Sequence, residues 1–183
     1  MTVYSNFADK AALFEAVVVS HSKRFEGVFV GLDPSGGTID VVLTTLGNRF
    51  LTCLMSDEIM QADRMLSAVL NENPGLGRRF YEVGPRRMWA AVAAIIEAAS
   101  ARGELETQDA LQAAEDLLAV WLGLFPIQHR LNGAQVPSQP QLAARVAHGV
   151  HVLMRTYGPG TGSSKTGRRA KTARRTPARE RHS

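Results

Sequence analysis

The sequence predicts an all-α fold: a bundle of about six or seven helices followed by a disordered tail. Between residues 9 and 157 the apolar residues recur at spacings of three and four, which is the period of an amphipathic helix. Sustained alternation of apolar and polar residues, the pattern of a half-buried strand, is scarce. Clusters of Gly, Pro and capping residues divide the pattern into segments of helical length. The chain has 183 residues, 45% of them hydrophobic, which suffices for one domain with a core but not for two.

Three helices are predicted in the first part of the chain. The first begins after Asp9, a suitable N-cap, and ends at the Gly-rich segment 31–37. Its stripe consists of Phe14, Val18, His21, Phe25 and Val28. The second helix is predicted over residues 39–54. Residues 41–45 have a high propensity for strand, but the length of the whole segment favours a helix. The third begins after Ser56, has two acidic residues in its first turn, and ends before Pro74.

Prolines and glycines divide the next part of the sequence into three more helices. Residues 74–84 form a short helix, and Pro85 starts another helix at a bend. That alanine-rich helix ends at Gly103. Asp109 caps the following helix, whose apolar stripe continues up to Pro126.

The last helix has a regular amphipathic face and precedes a segment of different composition. Its apolar residues are Leu142, Val146, Val150, Leu153 and Tyr157. Residues 158–183 contain no large apolar residue, so no core can offset the entropy of ordering them, and disorder is predicted. This tail holds eight Lys or Arg residues and one acidic residue, whereas the remaining residues hold thirteen basic and sixteen acidic ones. The tail would add salt-dependent attraction to DNA, or it would be solvated without a partner.

Composition excludes several classes of protein. The longest uncharged apolar run, residues 88–96, has nine residues, against the about 20 that a membrane-spanning helix needs. No basic leader precedes the first apolar stretch, so no signal peptide is expected and a cytoplasmic location is predicted. Cys53 is the only cysteine, which excludes an intrachain disulfide framework and a multi-cysteine zinc site.

Residues 1–14 carry the pattern with the most functional information. They contain a Thr-x-Tyr-x-x-Phe run, then a cap residue with Lys, then x-x-Leu-Phe. This pattern resembles the junction between the recognition helix and the connecting helix of TetR-family transcriptional regulators. The resemblance implies that residues 1–8 are a remnant of the recognition helix of a helix-turn-helix domain. It also implies that residues 9–157 form a TetR-like helical domain for effector binding and dimerisation.

The resemblance implies roles for individual residues of this segment. The residues expected to contact DNA are Thr2, Val3, Tyr4, Ser5, Asn6 and Lys10. Hydroxyl groups on a short helix can reach phosphates or base edges, and a lysine beside a helix N-terminus can contact a phosphate. The residues expected to anchor the DNA-binding head are Phe7, Leu13 and Phe14.

A second pattern lies between residues 73 and 105. The sequence there, NPxL followed by FYxxGPxR and GxL, resembles the C-terminal effector and dimerisation domain of one proteobacterial branch of the same family. The resemblance implies three partners: a second copy of the chain, a small-molecule effector of unknown identity, and double-stranded DNA if the DNA-binding head is completed upstream.

The last two helices are predicted to form the dimer interface as a four-helix arrangement. Their apolar surface is larger than a thin bundle easily buries. The predicted interface residues are Leu111, Leu118, Trp121, Phe125, Val146, Val150 and Leu153.

A ligand pocket is predicted at thioether and aromatic side chains, which form adaptable apolar walls. The predicted pocket residues are Met60, Met65, Trp89 and Trp121. An ordinary core is the alternative interpretation of the same residues.

No cofactor, metal site or catalytic group is predicted. His148 and His151 lie at i and i+3 on the last helix, but no third ligand has suitable spacing. The side chains of Glu115 and Asp116 diverge by about 100° on a helix. Nothing supplies a nucleophile, a base and an oxyanion site together, so an enzyme is not expected.

The predicted function is that of a TetR-like transcriptional regulator, a ligand-responsive repressor acting as a homodimer. A helix-turn-helix needs two helices before its recognition helix, and this sequence begins inside the third, so the DNA-binding head is expected to be incomplete. Either the protein starts upstream of Met1, or the chain is a truncated product. The alternative hypothesis is a helical dimerisation or small-molecule-binding module without autonomous DNA binding.

Overall fold

The structure, a computed structural model, describes residues 10–72, 74–131 and 136–160, and these residues form eight α-helices. The helices are α1 (Lys10–Phe29), α2 (Ile39–Leu54), α3 (Asp57–Glu72), α4 (Pro74–Val83), α5 (Pro85–Ala101), α6 (Ala110–Leu122), α7 (Phe125–Arg130) and α8 (Gln139–Tyr157). No strand occurs in these described ranges, and the predicted all-α fold is confirmed. None of the described helices is both long enough and apolar enough to cross a membrane.

Most of these helices begin and end close to the predicted positions. The carboxylate of Asp109 accepts a hydrogen bond from the backbone N–H of Gln112 at 2.9 Å, as expected of the N-cap of α6. α5 begins at Pro85 directly after α4, so the predicted break is present. The prediction that the same helix continues from Asp109 up to Pro126 is wrong. Gly123 has a positive φ of 52°, which favours glycine, and it ends α6, so Pro126 lies in the short additional helix α7.

Most buried side chains belong to one cluster, here called the main core, which is built mainly from α2, α5, α6 and α8. Trp121 is its largest fully buried side chain and donates from Nε1 to the backbone oxygen of Val146 at 3.2 Å. A Cβ atom at Gly47 would lie 2.7 Å from the Trp121 ring, and one at Gly149 would lie closer still. These two glycines therefore allow α2 and α8 to approach the indole.

A second group of buried residues, here called the small cluster, joins α1, α3 and α4. Its buried members are Phe14, Val18 and Leu66, with the partly buried Val17, Leu76, Phe80 and Val83 packed against them. α1 contributes to both clusters, because Phe25 and Val28 nearer its C-terminal end pack in the main core. α1 therefore connects the two clusters along its length.

A hydrogen-bonded group closes one end of the main core. Glu104, in the turn after α5, accepts from the backbone N–H of Ile39 at 2.7 Å and from Nε of Arg102 at 2.6 Å. Arg102 also donates to the backbone oxygen of Pro34 at 3.2 Å. The hydrogen bond from Arg102, and then that from Ile39, lowers the pKa of Glu104 below its ordinary value of 4.5. The start of α2 is thus attached to the turn between α5 and α6.

The C-terminal end of α8 is attached to α6 and to the turn that precedes α6. The Tyr157 hydroxyl donates to the Asp116 carboxylate at 2.5 Å. Burial, together with this carboxylate, raises the pKa of Tyr157 to about 12, so the hydroxyl remains a neutral donor. The backbone N–H of Gly160 donates to Glu106 at 2.9 Å. Residues 161–183, the larger part of the tail predicted to be disordered, lie outside the described residues.

Candidate functional site

A cavity of about 340 Å³ lies where the main core and the small cluster meet. From the small cluster, its wall includes Val18, Phe80 and Val83. From the main core, its wall includes Phe25, Phe50, Met60, Met88, Trp89 and Phe125. The volume falls within the range of small-molecule pockets, about 300–1,000 Å³, and the mostly apolar and aromatic lining is typical of them.

Helical spacing explains how these side chains reach the cavity. On α1, Val18, Ser22 and Phe25 are separated by four and three residues, so they lie on one face of the helix. The break between α4 and α5 places the first turn of α5 at the cavity. Trp89, the fifth residue of α5, packs edge-on against Tyr81 of α4, with ring centroids 5.8 Å apart. The cavity wall thus combines a face of α1 with the junction between α4 and α5.

Three polar side chains, Ser22, Asp63 and His129, also line the cavity. The His129 ring stacks on Phe125, with ring centroids 5.7 Å apart and an angle of 11° between the planes. Its Nε2 atom is buried and has no hydrogen-bond partner among the described residues. An unsatisfied buried polar atom costs about 1–3 kcal/mol, so its presence in a native fold requires an explanation. The site is therefore suited to bind a mainly apolar molecule with a polar group.

The four residues predicted for a ligand pocket have different places in the structure. Met60 and Trp89 line the cavity. Trp121 does not, and that prediction is corrected, because its indole is enclosed in the main core beside Gly47 and Gly149. The side chain of Met65 lies outside the described residues.

The cavity wall also contains residues that the sequence did not indicate. They are Phe25, Phe50, Phe80 and His129. The three phenylalanines have the same spacing as core residues, so periodicity cannot separate a cavity wall from a filled core. His129 lies in α7, whose six residues are too few to show a helical period.

The outward faces of α6 and α8 are a second candidate surface, because a dimer interface is predicted on the last two helices. Six of the residues predicted for a dimer interface are at most 7% exposed within their own chain. They are Leu118, Trp121, Phe125, Val146, Val150 and Leu153. A side chain enclosed by its own chain cannot pack on a second copy, so the prediction is corrected for these six, whereas Leu111 is 56% exposed. The exposed positions of the two helices include small residues, namely Ala119 on α6 and Ala144 and Ala147 on α8.

A comparison with known families identifies this helical body. The family model described as AefR-like transcriptional repressor, C-terminal domain, matches residues 41–159, which is more than half of the chain. The chain belongs to the TetR family of transcriptional regulators. The match extends from the first turn of α2 to the end of α8, so it includes most of the main core and much of the cavity wall.

Two solved structures resemble the chain over most of its length. A TetR-family transcriptional regulator from Mesorhizobium loti MAFF303099 is 29% identical, with a TM-score of 0.74 over 85% of this chain and 79% of that chain. The flavonoid-responsive regulator FrrA is 23% identical, with a TM-score of 0.69 over 86% of this chain and 79% of that one, a likeness that shows the fold alone. No curated protein matches the chain at a significant level.

The residues predicted for the DNA-binding head of a TetR-family protein are mostly outside the described residues. This applies to Thr2, Val3, Tyr4, Ser5, Asn6 and Phe7. Lys10 and Leu13 belong to α1, but their side chains are also outside the described part. Phe14 is 1% exposed and packs in the small cluster with Val18 and Leu66, so it holds the beginning of α1 against α3. The DNA-contacting and anchoring roles stay predictions.

The histidines considered as metal ligands, His148 and His151, are exposed on α8. Within residues 10–72, 74–131 and 136–160, no group of three or more His, Cys, Asp or Glu side chains could hold a metal ion.

Proposed function

We propose that this chain is the sensing and dimer-forming part of a ligand-responsive TetR-family repressor that acts on double-stranded DNA in the cytoplasm. The observation that carries the proposal is the cavity of about 340 Å³ between the main core and the small cluster. Protein interiors are close-packed and empty cavities lower stability, so a ligand best explains a cavity of this size. The matching family model describes a repressor, and FrrA is named as flavonoid-responsive, which supports a small-molecule response for this fold.

α1 provides the proposed connection between the ligand and the DNA. Val18 packs in the small cluster, Phe25 packs in the main core, and both line the cavity. A ligand that fills the cavity changes how the two clusters meet, and α1 follows directly after the segment that resembles a recognition helix. A ligand shifts such an equilibrium only by its difference in affinity for the two arrangements. We therefore expect the ligand to lower the affinity for DNA.

The outward faces of α6 and α8 are the proposed dimer interface. Small residues such as Ala119 and Ala147 allow helices of two copies to approach closely, and pairing two helices from each copy gives a four-helix interface with twofold symmetry. Leu111, which is exposed on α6, would be covered in such a pair. Buried side chains on the inner faces of these two helices, such as Leu118 and Val150, support the interface from inside, because they fix the orientation of α6 and α8.

Light scattering after size-exclusion chromatography tests the dimer. The wild-type protein is expected to be a dimer at micromolar concentration, and Ala119→Arg is expected to be a monomer, because the new side chain introduces bulk and charge at the interface. Ala94→Arg, at an exposed position of α5, is the matched control and should remain dimeric. A monomeric wild-type protein would contradict the proposal.

An anisotropy titration of the full chain with duplex DNA from the region upstream of its own gene tests DNA binding. Sequence-specific binding that survives competitor DNA and about 200 mM salt supports the repressor. Binding that disappears at this salt concentration implicates only the basic tail, and it favours the alternative of a dimerisation and ligand-binding module without autonomous DNA binding.

A further inference from the structure

The cavity wall contains His129, whose Nε2 atom is the one buried side-chain polar atom found without a hydrogen-bond partner in the described part of the chain. We infer that His129 recognises the effector by a hydrogen bond from or to Nε2, and that the effector consists of about two aromatic rings with a hydroxyl group. This inference rests on the ligand-sensing function proposed for the cavity. It goes further by naming two things: the residue that determines specificity, and the chemical class of the ligand.

The surroundings of His129 hold its ring in a defined position, as recognition of a ligand requires. The ring stacks on Phe125, which is only 7% exposed. Arg145 of α8 donates to the backbone oxygen of Leu122 at 2.9 Å and so fixes the end of α6. Gly123 then turns the chain into α7, which carries both stacked rings. The imidazole is therefore attached to the main core through its own helix and its stacking partner.

The volume and the lining limit the size of the ligand. A dry cavity of about 150 Å³ holds one benzene ring, so a cavity of about 340 Å³ accommodates roughly two rings. The aromatic side chains Phe25, Phe50, Phe80 and Trp89 come from four different helices and can pack against the faces and edges of a ring system.

A hydroxyl group is the polar group that fits this site best. Nε2 of a neutral imidazole is a donor in one tautomer and an acceptor in the other, and a hydroxyl group can pair with either. A carboxylate on the ligand would be unfavourable, because an ionised group loses its hydration when it enters a mostly apolar cavity. The expected ligand is therefore a phenol-like neutral molecule.

A pair of probes with the same ring system tests this inference on the full chain. The probes are 2-naphthol and 2-methylnaphthalene, which differ by a hydroxyl group in place of a methyl group. Binding is followed by quenching of tryptophan fluorescence, and Trp89→Phe identifies the contribution of the tryptophan at the cavity wall. The measured quantity is the ratio of the two Kd values in the wild-type protein and in His129→Phe. Comparing these ratios cancels the difference in solvation between the free probes.

We expect the relative preference for 2-naphthol to fall about three- to tenfold in His129→Phe, the effect of losing one net hydrogen bond. Binding of 2-methylnaphthalene should be retained, because the apolar wall is unchanged. Glu97→Phe, at an exposed position of α5 outside the cavity wall and outside the interface proposed on α6 and α8, is the control and should keep the wild-type ratio. His129→Leu provides the same comparison with a smaller side chain if the phenylalanine variant does not fold.

Two results would overturn the inference in distinguishable ways. An unchanged ratio in a folded His129 variant would remove the role of His129 while the cavity still binds both probes. Failure of both probes to bind the wild-type protein would overturn the inference together with the ligand-sensing function.

Discussion

The two tryptophans of the chain lie in opposite environments. Trp121 is fully buried in the main core, donates to the backbone of Val146 and lies directly against Gly149. Trp89 is only partly buried, borders the cavity and contacts Tyr81 edge-on. The same residue type fills space completely in one region and borders an unfilled space in the other. The comparison separates a close-packed region that determines stability from a region whose incomplete packing leaves room for a ligand.

Replacing each tryptophan by alanine gives the largest expected difference between the two regions. Trp121→Ala is expected to lower the free energy of unfolding by about 3–5 kcal/mol, because it leaves a large void and removes a buried hydrogen bond. Trp89→Ala should lower it by less than half as much, because its side chain already borders empty space. Urea unfolding followed by circular dichroism measures both values. Equal losses would show that the two regions are packed alike.

Adding one methyl group to the main core tests its packing more finely. Gly149→Ala is expected to lower the free energy of unfolding by about 1–3 kcal/mol, because the new Cβ overlaps the Trp121 ring. Gly75→Ala on α4 is the matched control, since nothing lies within 4 Å of its added Cβ, and it should be neutral or slightly stabilising. A neutral Gly149→Ala would mean that the indole can move away.

Replacing one glutamate in each of two regions compares the hydrogen-bonded end of the main core with the exposed surface of α1 and α3. Glu104→Gln is expected to lower the free energy of unfolding by about 1 kcal/mol at neutral pH, because Glu104 accepts from Ile39 and Arg102. Glu58→Gln removes the exposed ion pair with Arg24 and should have almost no effect.

The pH dependence of the Glu104 effect follows from its pKa. Folding lowers this pKa, so the carboxylate stabilises the native state fully above its ordinary value of 4.5 and loses this contribution as the pH falls through the lowered value. The difference between wild type and Glu104→Gln in unfolding experiments should therefore be constant near neutrality and shrink below about pH 4.5. A difference that grows on acidification would contradict this role.

Filling the cavity is expected to change the free energy of unfolding only slightly but to weaken the binding of a probe strongly. Val83→Phe adds volume at the cavity wall, so the free energy of unfolding is expected to change by less than about 1 kcal/mol, while the affinity for 2-methylnaphthalene falls about tenfold. Val41→Phe, at a 54% exposed position of α2, is the matched control for the larger side chain. Calorimetry for unfolding and tryptophan quenching for binding separate the two effects, and unaltered binding would place the probe elsewhere.

The fold was predictable from sequence because its signals are local. Helical spacing, Asp109 as an N-cap and Pro85 at a helix start each act within a few residues. The resemblance to the TetR family also depended on local signals, since each of its motifs is a short stretch of sequence. The additional helix α7 was missed, because it depends on the positive φ of Gly123, which the sequence does not distinguish from other glycines.

The candidate site was harder to predict because it depends on contacts between distant segments. Leu118 and Val150 have the periodicity of an interface, but their neighbours within the same chain bury them. Met60 and Trp121 looked equivalent as apolar residues, yet only Met60 borders the cavity. Which face of a helix meets a core, a cavity or solvent is decided by the positions of the other helices.

Because α1 contacts both clusters, its length determines how far a small tilt at one end moves the other end. A helix of 20 residues is about 30 Å long, since each residue adds about 1.5 Å. With Val28 held in the main core, a tilt of roughly 5° around that end moves the end at Lys10 sideways by about 2.5 Å. A tilt that moves Val18 by less than about 2 Å would therefore move the N-terminal end of α1 further, and the small cluster, which packs Phe14 against α3, would have to move with it.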